Sequence, residues 1–199
     1  KKKVKSQVVF ISKDLAKDSL FRSKLIPESY QVKGYSLIDF SAVPVKELPD
    51  TDWIFFTSKN SVKYFFKQNF DLSNIKVACV GRGTYKELSK YVDYVSFIGD
   101  AVDIVEIGTD FAKVVGGERC VFPVSNISKR TIQNQFLDQS NIKDIVVYST
   151  SEQLDFTDPK ANVLIFTSPS NVRAYFKKIT WQPYQKIIVM GPTTAKQLA

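Results

Sequence analysis

Residues 54–88 of this chain align with residues 164–198 at a constant offset of 110, without a gap. The identical pairs include Phe56/Phe166, Thr57/Thr167, Ser58/Ser168, Val62/Val172, Phe66/Phe176, Lys76/Lys186, Gly81/Gly191, Thr84/Thr194 and Leu88/Leu198. Two unrelated amphipathic units match readily at apolar positions. They do not so readily match Thr-Ser after one strand and Gly-x-x-Thr after the next, in phase. The alignment is therefore read as the duplication of a βαβα unit, and a fold that explains one copy must explain the other.

Each copy follows the same local logic. Trp53-Ile54-Phe55-Phe56 is a short apolar run of strand formers. Thr57-Ser58 follows, and either hydroxyl suits the cap of a helix. In that helix Val62, Phe65, Phe66 and Phe70 fall on one face. Residues 75–80 form the next strand, and Gly81-Arg82-Gly83-Thr84 turns into a second helix. The later copy repeats this with a strand at 163–166, a helix from about Ser168, a strand at 187–190 and Gly191-Pro192-Thr193-Thr194. Pro192 suits a first helical turn, where its missing N–H costs nothing.

The remaining segments predict a strand at 7–11, a helix at 14–25, a short strand at 94–97 and a helix at 102–115 ended by Gly116-Gly117. A strand at 119–122 and a helix at 126–137 complete the pattern. Strands alternating with helices imply parallel sheets covered on both faces. Two extended stretches, 36–45 and 144–150, break the alternation, and they flank a block holding one copy. The predicted fold is α/β: two similar, duplicated parallel-sheet βαβ domains of flavodoxin-like type, joined by a two-stranded linker. The inserted domain is expected at 40–147, the other at 1–36 with 150–199, and the linker strands at about 36–42 and 144–150.

Composition narrows the chemistry. The chain has no histidine, which removes His-based triads and His-ligated metal sites. Its net charge of +8 favours an anionic partner. Cys79 and Cys120 sit in apolar strand runs, as buried free thiols of a reducing compartment do. No apolar run is long enough to cross a membrane, and the run Val8-Val9-Phe10-Ile11 after the basic N-terminus is too short for a secretory leader. The expected location is the cytoplasm. In the absence of any oligomerisation signal, the expected state is a monomer.

In open parallel sheets, ligands bind beyond the C-terminal ends of the strands. The turns expected there are Thr57-Ser58, 81–84, 123–128, Thr167-Ser168 and 191–194. All are rich in hydroxyls, glycine or backbone N–H groups at helix starts, which suit carboxylates and phosphates. Gly81-Arg82-Gly83 lacks the third glycine of a dinucleotide fingerprint, since Lys86 stands in its place. No phosphate-cradling loop motif and no metal-ligand spacing is found. The basic residues are dispersed and the aromatics fall on core faces, a poor match to nucleic-acid binding.

Taken in order, six motifs resemble the run found in the uroporphyrinogen-III synthase family. They are Phe56-Thr57-Ser58-Lys59-Asn60-Ser61-Val62, Val80-Gly81-Arg82-Gly83-Thr84, Phe122-Pro123-Val124-Ser125-Asn126, Val147-Tyr148-Ser149-Thr150, Phe166-Thr167-Ser168-Pro169-Ser170 and Gly191-Pro192-Thr193-Thr194-Ala195. The specificity lies in the ordered set, which covers nearly the whole chain. The resemblance implies two α/β domains with the active site in the cleft between them. It implies the polycarboxylate substrate hydroxymethylbilane, which loses its terminal hydroxyl as water, inverts its last pyrrole ring through a spiro intermediate and closes. It implies no metal and no organic cofactor.

Tyr148 matches the family's linker tyrosine, the implied donor that assists loss of hydroxide. Thr57, Ser58, Thr84, Asn126, Ser168, Lys186, Thr193 and Thr194 are the implied substrate-binding positions, with Lys129 and Arg130 beside Asn126. Two departures stand out. Ser125 replaces a glycine common in relatives, and the sequence reaches Ala199 where relatives run on through another strand and helix. The competing reading is a non-catalytic two-domain binding protein for some other anionic small molecule.

Overall fold

The structure is a computed structural model and describes residues 6–25 and 29–198. The chain divides into two compact units: residues up to Asp39 together with those from Ser151 onward, and Phe40–Thr150.

The first unit is built on a four-stranded sheet. Its strands are β1 (Gln7–Ile11), β2 (Tyr30–Gly34), β9 (Val163–Phe166) and β10 (Lys186–Val189), in the order β10-β9-β1-β2. All three strand pairs are parallel. Helix α5 (Pro169–Phe176) covers one face, where Phe10, Leu164, Phe166, Val172 and Tyr175 are buried together. Val9, Ile11 and Ile165 face the other way, against Leu15 and Phe21. Adjacent strand residues thus serve opposite faces, the period of two expected of a pleated strand. Helices α1 (Leu20–Lys24) and α6 (Pro192–Ala195) are short.

The second unit holds a six-stranded sheet in the order β3-β8-β7-β4-β5-β6. The ranges are β3 (Ile38–Ala42), β4 (Trp53–Phe56), β5 (Lys76–Val80), β6 (Phe97–Gly99), β7 (Cys120–Ser125) and β8 (Ile142–Glu152). The pairs from β8 to β6 are parallel. Along β4, Trp53 and Phe55 enter a cluster with Ile107 and Phe111 of α4 (Ile104–Val115). Ile54 and Phe56 enter the opposite cluster with Val62 and Phe65 of α2 (Lys59–Phe66) and Leu88 of α3 (Gly81–Leu88). The chain passes from one unit to the other within β3 and within β8. Elements β4, α2, β5 and α3 start at residues 53, 59, 76 and 81, and β9, α5, β10 and α6 at 163, 169, 186 and 192.

Several expectations need correction. The helix expected at 14–25 is confined to Leu20–Lys24, because Ser19 caps it and Asp14 is used elsewhere. The Asp14 carboxylate accepts a hydrogen bond from the Ser36 backbone N–H at 3.0 Å. Small polar side chains here bond to backbone and favour turns over helix. The helix expected at 126–137 is a set of turns with one 3-10 stretch, Gln133–Gln135. Ser125 and Ser128 hydroxyls accept from the N–H groups of Ile127 and Arg130, and Arg130 adopts φ +55°, which ends any helix. Gly108 of α4 allows this segment in: a Cβ there would lie 2.6 Å from Gln135 Cγ and 3.1 Å from Ile132 Cα. The short strand expected at 94–97 is Phe97–Gly99, and β2 is a strand that sequence reading missed.

An ion-pair cluster closes the N-terminal edge of the second sheet. Arg119 donates to both oxygens of Asp52, at 2.9 and 3.0 Å, and also pairs with Asp50. Hydrogen bonds from Arg119 are the main reason the Asp52 carboxyl titrates at about 2 rather than 3.8. A depressed folded-state value adds stability above the unfolded pKa, and that stability is lost as pH falls towards the folded value. Asp52→Asn is therefore expected to lower the urea midpoint at pH 6. Parent and variant should converge as the pH drops from 3.8 towards about 2. Parallel curves across that window would show that the pair contributes nothing through charge.

Candidate functional site

Parallel β4, β7 and β8 bring three chain segments to one edge of the second sheet. There Thr57, Ser58, Ile104, Ser125, Ser128, Lys129, Arg130, Thr131, Ile132, Gln133 and Tyr148 line a cavity of about 230 Å³. Hydroxyl, amide and cationic side chains dominate this wall.

Tyr148 owes its place to an irregularity in β8. The β7–β8 register runs Val124↔Val146 and then Ser125↔Tyr148, so Val147 is an extra residue. Regular pleating would send Val147 and Tyr148 to opposite faces. The bulge lets both be buried on the α2 side of the sheet. Tyr148 is 8% exposed, and its hydroxyl lies 3.4 Å from Ser58 Oγ.

Ser58 is the N-cap of α2. Its Oγ accepts from the Ser61 N–H at 3.0 Å, and Ser61 Oγ accepts in return from the Ser58 N–H at 3.2 Å. This reciprocal cap fixes the serine, leaving its remaining hydrogen-bonding capacity towards Tyr148. Thr57 stands beside it on the cavity wall.

Charge on the 125–133 turn is divided between two roles. Arg130 pairs with Asp144 and donates to Gln139 Oε1 at 3.1 Å, while Gln133 donates to the other Asp144 oxygen at 3.0 Å. These bonds hold the turn against β8. Lys129 makes no ion pair among the described residues and leaves net positive charge on the cavity.

Thr57, Ser58 and Tyr148 are thus brought together, and the other expected site residues are distributed differently. Thr84 is buried in the first half of α3. Asn126 is engaged: its side-chain oxygen accepts from the Thr150 N–H at 2.8 Å, and its own N–H donates to the Tyr148 carbonyl at 3.2 Å. It holds the tyrosine's strand. In the first unit Ser168 caps α5, accepting from the Asn171 N–H at 3.3 Å and side-chain amide at 2.9 Å. Thr194 is buried and donates to the Met190 carbonyl at 3.0 Å, whereas Thr193 is exposed. Lys186 opens β10, at the strand end opposite Gly191, so it does not join the turns beyond the C-terminal ends.

Ser12, Gln133 and Tyr64 were missed in the sequence. Ser12 follows β1 as Thr167 follows β9, and the two are joined by three contacts of 2.8–3.3 Å. A serine just after a strand was the available signal for Ser12. Tyr64 lies at the edge of the buried face of α2, half-buried, and its spacing carried no signal.

The first unit also has a cavity of about 690 Å³, with Asp14, Asp39 and Asp155 on its walls. Its Lys33 ammonium is committed to the Pro159 carbonyl at 2.9 Å. Three aspartates make it a poor receptor for carboxylates. The smaller, hydroxyl-rich cavity beside Tyr148 is the better candidate despite its size.

Parallel sheets with capped helices and hydroxyls gathered at a C-terminal strand edge define an α/β protein of the class that holds a small molecule beyond its strand ends. The family described as uroporphyrinogen-III synthase HemD matches the chain over residues 37–199. The chain belongs to the uroporphyrinogen-III synthase family. Its fold is similar to uroporphyrinogen-III synthetase from Helicobacter pylori 26695, with a TM-score of 0.73 and 20% identity over 98% of this chain and 88% of that one. A mutant uroporphyrinogen III synthase from the extremely thermophilic bacterium Thermus thermophilus is similar with a TM-score of 0.64 and 12% identity, over 97% of this chain and 88% of that one. None of the curated proteins matches the chain. No described helix is long and apolar enough to cross a membrane, and the described residues hold no cluster of three or more acidic, cysteine or histidine groups able to bind a metal ion.

Proposed function

We propose that Tyr148 is the hydrogen-bond donor of the family reaction, in which hydroxymethylbilane closes to uroporphyrinogen III. The C–O bond of the terminal hydroxymethyl group breaks, driven by the adjacent pyrrole nitrogen, and the hydroxyl leaves as water with a proton from the donor. A weak acid suffices because the substrate supplies the electron push. The cyclisation that follows, through a spiro intermediate, demands mainly that a flexible chain be held so that the correct carbon reacts. One observation carries the reading: a bulge aims the Tyr148 hydroxyl at Ser58 on the wall of a basic, hydroxyl-lined cavity.

Thr57, Ser125, Ser128 and Lys129 then hold carboxylates of the substrate, consistent with the net charge of +8. Thr84, Ser168, Thr193 and Thr194 contribute chiefly through the backbone N–H groups of the helix starts near them. Thr194 already donates its hydroxyl to the Met190 carbonyl, and the Ser168 oxygen already accepts two hydrogen bonds, which leaves it only its O–H to donate. Asn126 and Arg130 shape the turn and hold Tyr148 in place. The matching positions of β4-α2-β5-α3 and β9-α5-β10-α6 support descent of both units from one duplicated βαβα ancestor.

The test is an isomer assay. Hydroxymethylbilane is generated in situ, the protein is added, and the oxidised uroporphyrins are separated. The expected product is predominantly the type III isomer. Type I alone, as in a blank without protein, would refute the reading and leave binding without catalysis.

A further inference from the structure

Tyr148 acts through the position of its hydroxyl, and two aromatic rings fix that position. Tyr64 of α2 stacks on it, with ring centroids 5.3 Å apart and planes 17° from parallel. Phe40 meets the same ring at 6.0 Å in a tilted arrangement. Tyr64 is itself held at both ends. Its hydroxyl donates to the Phe40 carbonyl at 3.0 Å, and the Lys67 ammonium lies 4.8 Å from its ring centroid. The fully buried face of α2 is formed by Ser61, Val62 and Phe65, and Tyr64 packs half-buried at the edge of the same cluster.

Resting on the reading of Tyr148 as donor, we propose that Tyr64 is a positioning residue for the same reaction. The stack opposes tilting of the Tyr148 ring and its movement towards α2, and the bond to Phe40 locks the stacking partner to the neighbouring strand. The Tyr148 and Val147 carbonyls accept from the Asn126 and Val43 N–H groups at 3.2 and 3.0 Å, so the backbone at the bulge is held, and the stack fixes what those bonds leave free, the rotation of the ring about its side-chain bonds. A small displacement of a reacting group lowers rate steeply.

A double-mutant cycle tests it, with kcat and KM measured in the isomer assay. Tyr64→Leu removes the stack and is expected to lower kcat about tenfold while leaving KM unchanged. Tyr64→Phe keeps the stack and loses only the bond to Phe40; its kcat should stay within about twofold of the parent. In a Tyr148→Phe background, Tyr64→Leu should change kcat no further, because the group it positions is gone. Equal losses from Tyr64→Leu in both backgrounds would overturn the inference and leave Tyr64 a packing residue. Unchanged kcat in Tyr148→Phe alone would overturn the donor reading and this inference with it. Far-UV circular dichroism and urea midpoints of each variant exclude loss of folded protein as the cause.

Discussion

Tyr148→Phe is expected to lower kcat about 10²-fold, with KM little changed and the type III isomer still the main enzymatic product. The substitution removes one oxygen and leaves the ring in its stack on Tyr64 and against Phe40. Ser58 keeps its capping role, because its bonds to Ser61 do not involve the tyrosine. Folding is therefore spared, and the loss belongs to the step in which the hydroxyl departs. Uncatalysed closure to the type I isomer competes with a slowed enzyme, so the type I fraction should rise at low protein concentration. Full activity in the variant would show that the donor is another group. Ser58 would then be the first to examine, since its hydroxyl lies on the same cavity wall.

Phe111→Ala is expected to destabilise the protein by about 3–5 kcal/mol. Phe111 is fully buried on α4 and stands at the centre of an aromatic cluster. Its ring centroid lies 4.4 Å from that of Phe55, 5.1 Å from Phe97, 5.5 Å from Trp53 and 5.9 Å from Phe136. These rings come from other strands and turns, so none can move into the gap without leaving its own element. The cavity stays largely open, and its cost adds to the lost transfer free energy. Urea unfolding followed by tryptophan fluorescence reads this directly, since Trp53 packs edge-on against Phe111. A loss below about 1 kcal/mol would mean that the cluster collapses and that α4 is loosely held.

The depth to which the sequence could be read varied with the range of the interactions involved. The strands β4, β5, β9 and β10 and helices α2 and α5 were legible because their apolar period and their capping serines are local properties. The segments 14–25 and 126–137 misled because short-range bonds from Asp14, Ser19, Ser125 and Ser128 outcompete helical periodicity, and periodicity alone does not register them. Strand β2 was hidden because none of its five residues is fully buried, so it lacks the strong alternation of an inner strand.

The site divides in the same way. Thr57, Ser58 and Tyr148 carried a signal through position and resemblance, and they meet on one wall. Lys186 carried an equal signal, yet a parallel strand of four residues puts its first residue at the far end from the ligand turns. Asn126 and Thr194 look like ligands among the polar residues of the turns, but each already has a partner within the protein.

Sequence by itself determined the alternating α/β pattern, the repeat and the basic, histidine-free chemistry, because each is written in neighbouring residues or in counts. Only the tertiary structure decided which hydroxyls remain available and where Tyr148 points. Those depend on a one-residue slip between β7 and β8 and on partners such as Thr150, Asp144, Tyr64 and Ser58, up to 90 residues from the groups they meet and adjacent only after folding. A register shift reverses the face of a side chain without changing its identity, so no local reading could have supplied it.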